Sequence, residues 1–87
     1  MCIRDSLKPI INREFELSRN EISALIDRIK RQYPPRADVD SVALADMFMS
    51  TFEGAFVLSK SLHEPDITAQ QLRLYRTFIE TLFRPRQ

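Results

Sequence analysis

Residues 42–62 of this chain read VALADMFMSTFEGAFVLSKSL. The charges in this stretch, Asp46, Glu53 and Lys60, fall seven apart and so share one narrow stripe of a helix. Leu44, Met47, Phe48, Met49, Phe52, Phe56, Val57, Leu58 and Leu62 spread around the rest of its circumference. A helix that is apolar on more than one side must be covered on more than one side. The chain offers only two other helical segments to do so, which implies a partner or a missing domain.

Length sharpens the point. An 87-residue chain makes one small domain at most, and a chain of this size buries only roughly 60–65% of its unfolded surface. With 44% hydrophobic residues, 29% charged residues and a net charge of +1, the composition excludes an acidic tail, a nucleic-acid-binding tail and a disordered linker. One glycine and five prolines divide the chain into three long stretches. No stretch alternates with the period of a strand, and no internal repeat appears. The expected fold is all-α, with three long helices over about 8–33, 40–63 and 67–83, arranged antiparallel with short connections.

In the first helix, Ile11, Phe15, Ile22, Ile26, Ile29 and Tyr33 recur at helical spacing and form one apolar face. Ser18 and Glu21 have the spacing of a capping box, which would break this helix, whereas an unbroken helix keeps the stripe in phase. Asp27 and Arg31 stand one turn apart as a supporting pair, and Pro34-Pro35 ends the segment. Asp40 is placed to cap the second helix, and Lys60 and His63 lie where the helix dipole favours cations. The third helix opens at Asp66 or Thr68, with Thr68 and Gln71 spaced as a capping box. Leu72, Tyr75, Ile79 and Leu82 form its packing seam, widened by Phe78 and Phe83.

Gly54, the single glycine, lies in the middle of the second helix, where glycine costs about 1 kcal/mol relative to alanine. Close approach of another helix, from this chain or from a partner, would offset that cost. Projected at about 100° per residue, Ala43, Met47, Thr51, Gly54, Leu58 and Ser61 share a face of mostly small groups. Phe48, Phe52, Ala55, Ser59 and Leu62 share a bulkier neighbouring face, so two different partners can be served.

Asp38-Val39-Asp40, Leu44-Ala45, Ser50-Thr51-Phe52-Glu53-Gly54-Ala55, Leu58-Ser59-Lys60 and the run from Leu72 to Leu82 containing Tyr75-Arg76 together resemble the C-terminal end of bacterial TetR-family transcriptional regulators. The resemblance covers about residues 10–83. It implies the effector-response and dimerisation part of a ligand-responsive regulator, whose last two helices form half of an intermolecular four-helix bundle. The helix-turn-helix domain of that family is missing, so DNA binding is expected only through an N-terminal domain of the parent. A homodimer and a small-molecule effector of the full-length parent are the partners the resemblance implies. The dimer interface would use Met47, Thr51, Gly54, Leu58, Ser61, Leu72, Tyr75, Ile79 and Leu82, with the choice of face on the second helix left open. Phe15, Ile22, Phe48, Met49, Phe52 and Phe56 are the candidates to line an effector pocket, since such pockets are largely apolar and aromatic. The alternative is a free-standing helical interaction module that docks on another protein through the second helix.

No catalytic cluster is legible, so no enzyme, cofactor or metal site is expected. His63 is the sole histidine and reads as a solvated helix end; Asp38 and Asp40 lack the glycine and glutamate of a calcium loop. Arg28, Lys30, Arg31 and Arg36 with Tyr33 form the only basic cluster, diluted by Asp27 and Asp38, and read as a solvated face. Met1-Cys2-Ile3-Arg4-Asp5-Ser6 looks like a translated sequencing-adapter string, so residues 1–6 are expected to be a non-native leader and 7–87 a partial regulatory and dimerisation domain. The single Cys2 closes no internal disulfide. No signal peptide or membrane span is expected, because three charges interrupt residues 42–62, and a cytoplasmic protein follows.

Overall fold

The computed structural model describes residues 3–84, and three helices account for most of them: α1 (Ile3–Gln32), α2 (Ser41–Ser61) and α3 (Ile67–Leu82). The fold is an all-α three-helix bundle in which α2 lies between α1 and α3 and packs against both. The Cα atoms extend over 57 × 30 × 15 Å, so the helices form a slab and not a ball. Its radius of gyration is 15.8 Å, against about 12 Å for a compact domain of this length.

Helix α1 reaches back through Pro9 to Ile3, earlier than the expected start near residue 8. It is not broken at Ser18, and its apolar stripe stays in phase as an unbroken helix requires. Only the C-terminal part of that stripe is covered: Ile26 is buried and Ile22 and Ile29 pack against the core, while every residue from Leu7 to Glu21 is exposed. Of the expected leader, Met1 and Cys2 lie outside the described residues.

Asp40 caps α2 as its position demands. Its backbone is extended and its carboxylate accepts from the Ala43 amide at 2.9 Å. Asp27 does not pair with Arg31; its carboxylate instead accepts from the Ser41 hydroxyl, tying α1 to the first turn of α2. At the other end of α2 the Glu64 amide donates to the Ser59 carbonyl at 3.0 Å and the His63 amide to the Lys60 carbonyl at 3.4 Å. This is a Schellman arrangement in which His63 holds the left-handed position that glycine usually fills, with φ 54°.

The capping box expected at Thr68 and Gln71 is not the one used. The Thr68 amide donates to the Ser59 hydroxyl oxygen of α2 at 3.2 Å, and the Ser59 and Thr68 hydroxyls lie 3.0 Å apart. The start of α3 is therefore satisfied by its neighbour, and Asp66 occupies the cap position without a side-chain bond.

The core sits at one end of the slab, where the C-terminal ends of α1 and α3 meet the start of α2. Ile26, Leu44, Ala45, Leu82 and Phe83 form it, with Ile22, Ile29, Val39 and Ile79 packed on its margin. The α1–α2 connection closes this end. The Arg36 amide donates to the Leu82 carbonyl at 2.8 Å and its Nε to the Arg84 carbonyl at 3.1 Å, so it supplies partners to the free carbonyls at the end of α3. Lys30 donates to the Val39 carbonyl from the other side.

Candidate functional site

The two faces of α2 separate cleanly in the structure. Phe48 and Ser59 are half-buried and Ala55 is buried, so the bulkier face is turned into the bundle, with Phe52 and Leu62 exposed at its edges. Ala43, Met47, Gly54, Leu58 and Ser61, from the face of small groups, are exposed, and only Thr51 is half-buried. A Cβ placed on Gly54 would meet nothing within 4 Å. No helix of this chain packs closely on Gly54, which leaves the intrachain explanation of this glycine without support.

On α3 the seam expected at a dimer interface faces α2 of the same chain. Leu82 is buried, Ile79 lies on the core margin and Leu72 is half-buried. Tyr75 donates its hydroxyl to the Leu44 carbonyl at 2.8 Å, and its ring meets Phe48 edge-on at 5.4 Å. Burial holds the Tyr75 phenol above its ordinary pKa.

Arg76 and Glu80 form an i, i+4 pair on the flank of α3 turned toward α1, since Glu80 lines a hollow with Ile29 and Tyr33. Leu74 and Phe78 are more than 100° round the helix from Glu80 at about 100° per residue. They therefore occupy the opposite flank, and both are exposed, Leu74 at 58%. The same projection turns Met47, Gly54 and Leu58 of α2 away from Asp46, Met49 and Glu53, which face α1. Met47, Gly54 and Leu58 of α2 and Leu74 and Phe78 of α3 are thus exposed on sides of their helices turned away from α1. Leu74 was not singled out from the sequence; its signal is an apolar pair with Phe78 lying off the α3 seam.

A second feature lies between α1 and α2. Phe15, Ile22, Phe48, Met49 and Phe52, five of the six effector-lining candidates, border a cleft of about 210 Å³ together with Ser18 and Glu53. A neighbouring hollow of about 240 Å³ shares Phe15 and Met49 and adds Asn12, Glu16 and Arg19. Arg19 bridges to α2 as a fork, with Nε 2.8 Å and Nη2 3.1 Å from the two Asp46 carboxylate oxygens. That hydrogen bond and the Asp46 charge raise the Arg19 pKa. The pair joins residues 27 apart in sequence and carries no local signal, so it was not foreseen.

Phe56, the sixth candidate, lies apart. It borders a hollow of about 490 Å³ with Ser59, Lys60, His63, Pro65 and Thr68, and the Lys60 ammonium sits 4.6 Å above its ring. His63 is exposed beside it. The basic cluster of α1 is partly engaged, since Lys30 and Arg36 hold backbone carbonyls while Arg28 and Arg31 stay exposed. Among the described residues, no group of three or more His, Cys, Asp or Glu side chains is placed to hold a metal ion.

By length and composition alone α2 is long and apolar enough to cross a membrane, with a mean hydropathy of 1.3 over its most apolar window. The central helix of a bundle meets the same criterion, so length and composition do not decide between the two. Compared with known proteins, the chain matches no family model, no curated protein and no solved structure.

Proposed function

We propose that this chain is a helical protein–protein interaction module that docks through the broad face formed by Met47, Gly54 and Leu58 of α2 with Leu74 and Phe78 of α3. The observation that carries the reading is the open state of this face. The chain exposes 7104 Å², whereas a folded monomer of its mass exposes about 5,300 Å² by the usual surface scaling. The excess of roughly 1,800 Å² is shared between the exposed N-terminal half of α1 and this face, on which Met47 is 43%, Leu58 48%, Leu74 58% and Phe78 40% exposed; a standard protein interface covers ~800 Å² per partner. Small groups at Gly54 and Ser61 admit a partner helix, and the larger side chains on either side supply the apolar area. A protein partner suits α2 better than a bilayer does, because Glu53 lies near the middle of the helix, where an ionisable side chain in a span is costly.

The α1–α2 cleft favours a second reading, in which the module is the dimerisation and effector-response part of a TetR-like cytoplasmic regulator. There a second copy covers the broad face, an effector occupies the cleft, and DNA is bound by a separate N-terminal domain. Ligand binding would act by shifting the balance between two arrangements of the dimer.

Sedimentation of the chain and of its Leu58→Glu and Phe78→Glu variants tests the first reading. Association with itself or with a different protein is expected for the parent, and both charged variants are expected to lower it. Unchanged association in both variants removes the broad face as the docking surface. A compact homodimer selects the regulator, and a monomer that binds a different protein selects the free-standing module.

A further inference from the structure

We infer that the α1–α2 cleft selects a lipophilic organic cation, an amine or quaternary ammonium group carried on an apolar arm. The inference rests on the second reading, which makes the cleft a ligand site, and names the class of ligand. Three rings, Phe15, Phe48 and Phe52, with Met49 supply an apolar and aromatic border. Aromatic faces attract cations through their quadrupole, and α2 already shows the contact once: Lys60 covers Phe56 at 4.6 Å. Among the described residues no cation of the chain stands over Phe15, Phe48 or Phe52 in the same way.

Charge points in the same direction. Glu53 is the one ionisable side chain bordering this cleft, and among the described residues it takes part in no ion pair. Arg19, the cation that borders the adjoining hollow, is neutralised by its two-pronged bond to Asp46, and Glu16 lies in the same hollow. The local balance of Glu16, Arg19, Asp46 and Glu53 is negative. An anionic ligand would face Glu53 with no unengaged cation among the residues that border the two hollows, whereas a cation gains both the carboxylate and the rings. Two adjoining hollows of about 210 and 240 Å³ leave room for one aromatic ring with a compact charged head.

Benzyltrimethylammonium and its uncharged isostere neopentylbenzene differ chiefly in charge and form the test pair. Amide and methyl NMR shifts of the full chain are followed with each, so that binding in the cleft is told apart from binding on the broad face. The cation is expected to shift Phe15, Met49 and Phe52 and to bind more tightly than the isostere. Glu53→Gln should weaken the cation roughly threefold, as for a partly solvated charge contact, and leave the isostere unchanged. Glu53→Lys should abolish the preference for the cation. Equal affinity for the two probes, or no change in Glu53→Gln, overturns the cation selectivity while leaving a ligand cleft in place. Absence of cleft shifts with both probes overturns the cleft as a ligand site and the inference with it.

Discussion

The two ends of α2 are equally apolar and differ in what covers them. At the N-terminal end, Leu44 and Ala45 are closed over by Ile26, Leu82 and Phe83, and polar ties surround the cluster: Ser41 to Asp27, Arg36 to the end of α3, and Tyr75 to the Leu44 carbonyl. At the C-terminal end, Phe56, Val57, Leu58 and Leu62 are exposed, and the Ser59–Thr68 contact is the tie to α3. Composition therefore does not decide burial here. Closure needs two flanking helices and a connection that satisfies their free backbone groups, and the fold provides that arrangement once. Arg19–Asp46 is the ion pair that holds α1 to α2 beyond the closed end.

The largest expected contrast comes from truncating one side chain at each end. Leu82→Ala opens a cavity in the closed cluster and should cost about 2–5 kcal/mol, a large part of the roughly 5–15 kcal/mol that native domains possess. Val57→Ala, on a residue 59% exposed, should stay within about 0.5 kcal/mol. Urea unfolding followed by circular dichroism, at concentrations too low for association, measures both. Equal costs would break the distinction between the ends.

A smaller effect isolates one tie of the closed end. Tyr75→Phe keeps the ring against Phe48 and removes only the bond to the Leu44 carbonyl, an expected loss of about 0.5–1.5 kcal/mol. The phenol also supplies a pH signature. Because burial raises its pKa in the folded chain, the unfolded chain releases this proton first as pH rises past the ordinary value of 10.0. Tyr75 therefore contributes stability below that pH which is lost above it, and the loss should be absent in Tyr75→Phe. Parallel alkaline unfolding curves for the two proteins would show that the phenol is not shielded as described.

Local features were legible in the sequence, and long-range ones were not. The spacing of Ile22, Ile26 and Ile29 marked the covered face of α1, Asp40 marked the start of α2, and Pro34-Pro35 marked the end of α1. Periodicity also separated the two faces of α2, but it could not say which was turned inward, because both are apolar enough to be buried. The α3 seam illustrates the same limit: Tyr75, Ile79 and Leu82 have the spacing of a packing surface whether they meet α2 of their own chain or a partner. Thr68 and Gln71 had capping-box spacing, yet the Ser59 hydroxyl reached the Thr68 amide across the α2–α3 gap. Arg36 looked like part of a basic cluster, and only the fold brings the end of α3 to it. Grouping of five effector-lining candidates in one cleft depends on α1 and α2 running antiparallel, which brings Phe15 to Met49 and Phe52.

The subtlest test of the open face is Gly54→Ala, because the two consequences have opposite signs. In the lone chain the added methyl meets nothing within 4 Å, and replacing a mid-helix glycine by alanine should stabilise the fold by about 0.5–1 kcal/mol. A partner helix seated against the small groups would meet that methyl directly, so the same substitution should weaken association while raising the unfolding midpoint of the isolated chain. Sedimentation and dilute-solution thermal unfolding of one variant give both numbers. Greater stability with unchanged association would mean that no partner packs closely on Gly54, and would move the docking contact to the Leu74–Phe78 flank of α3.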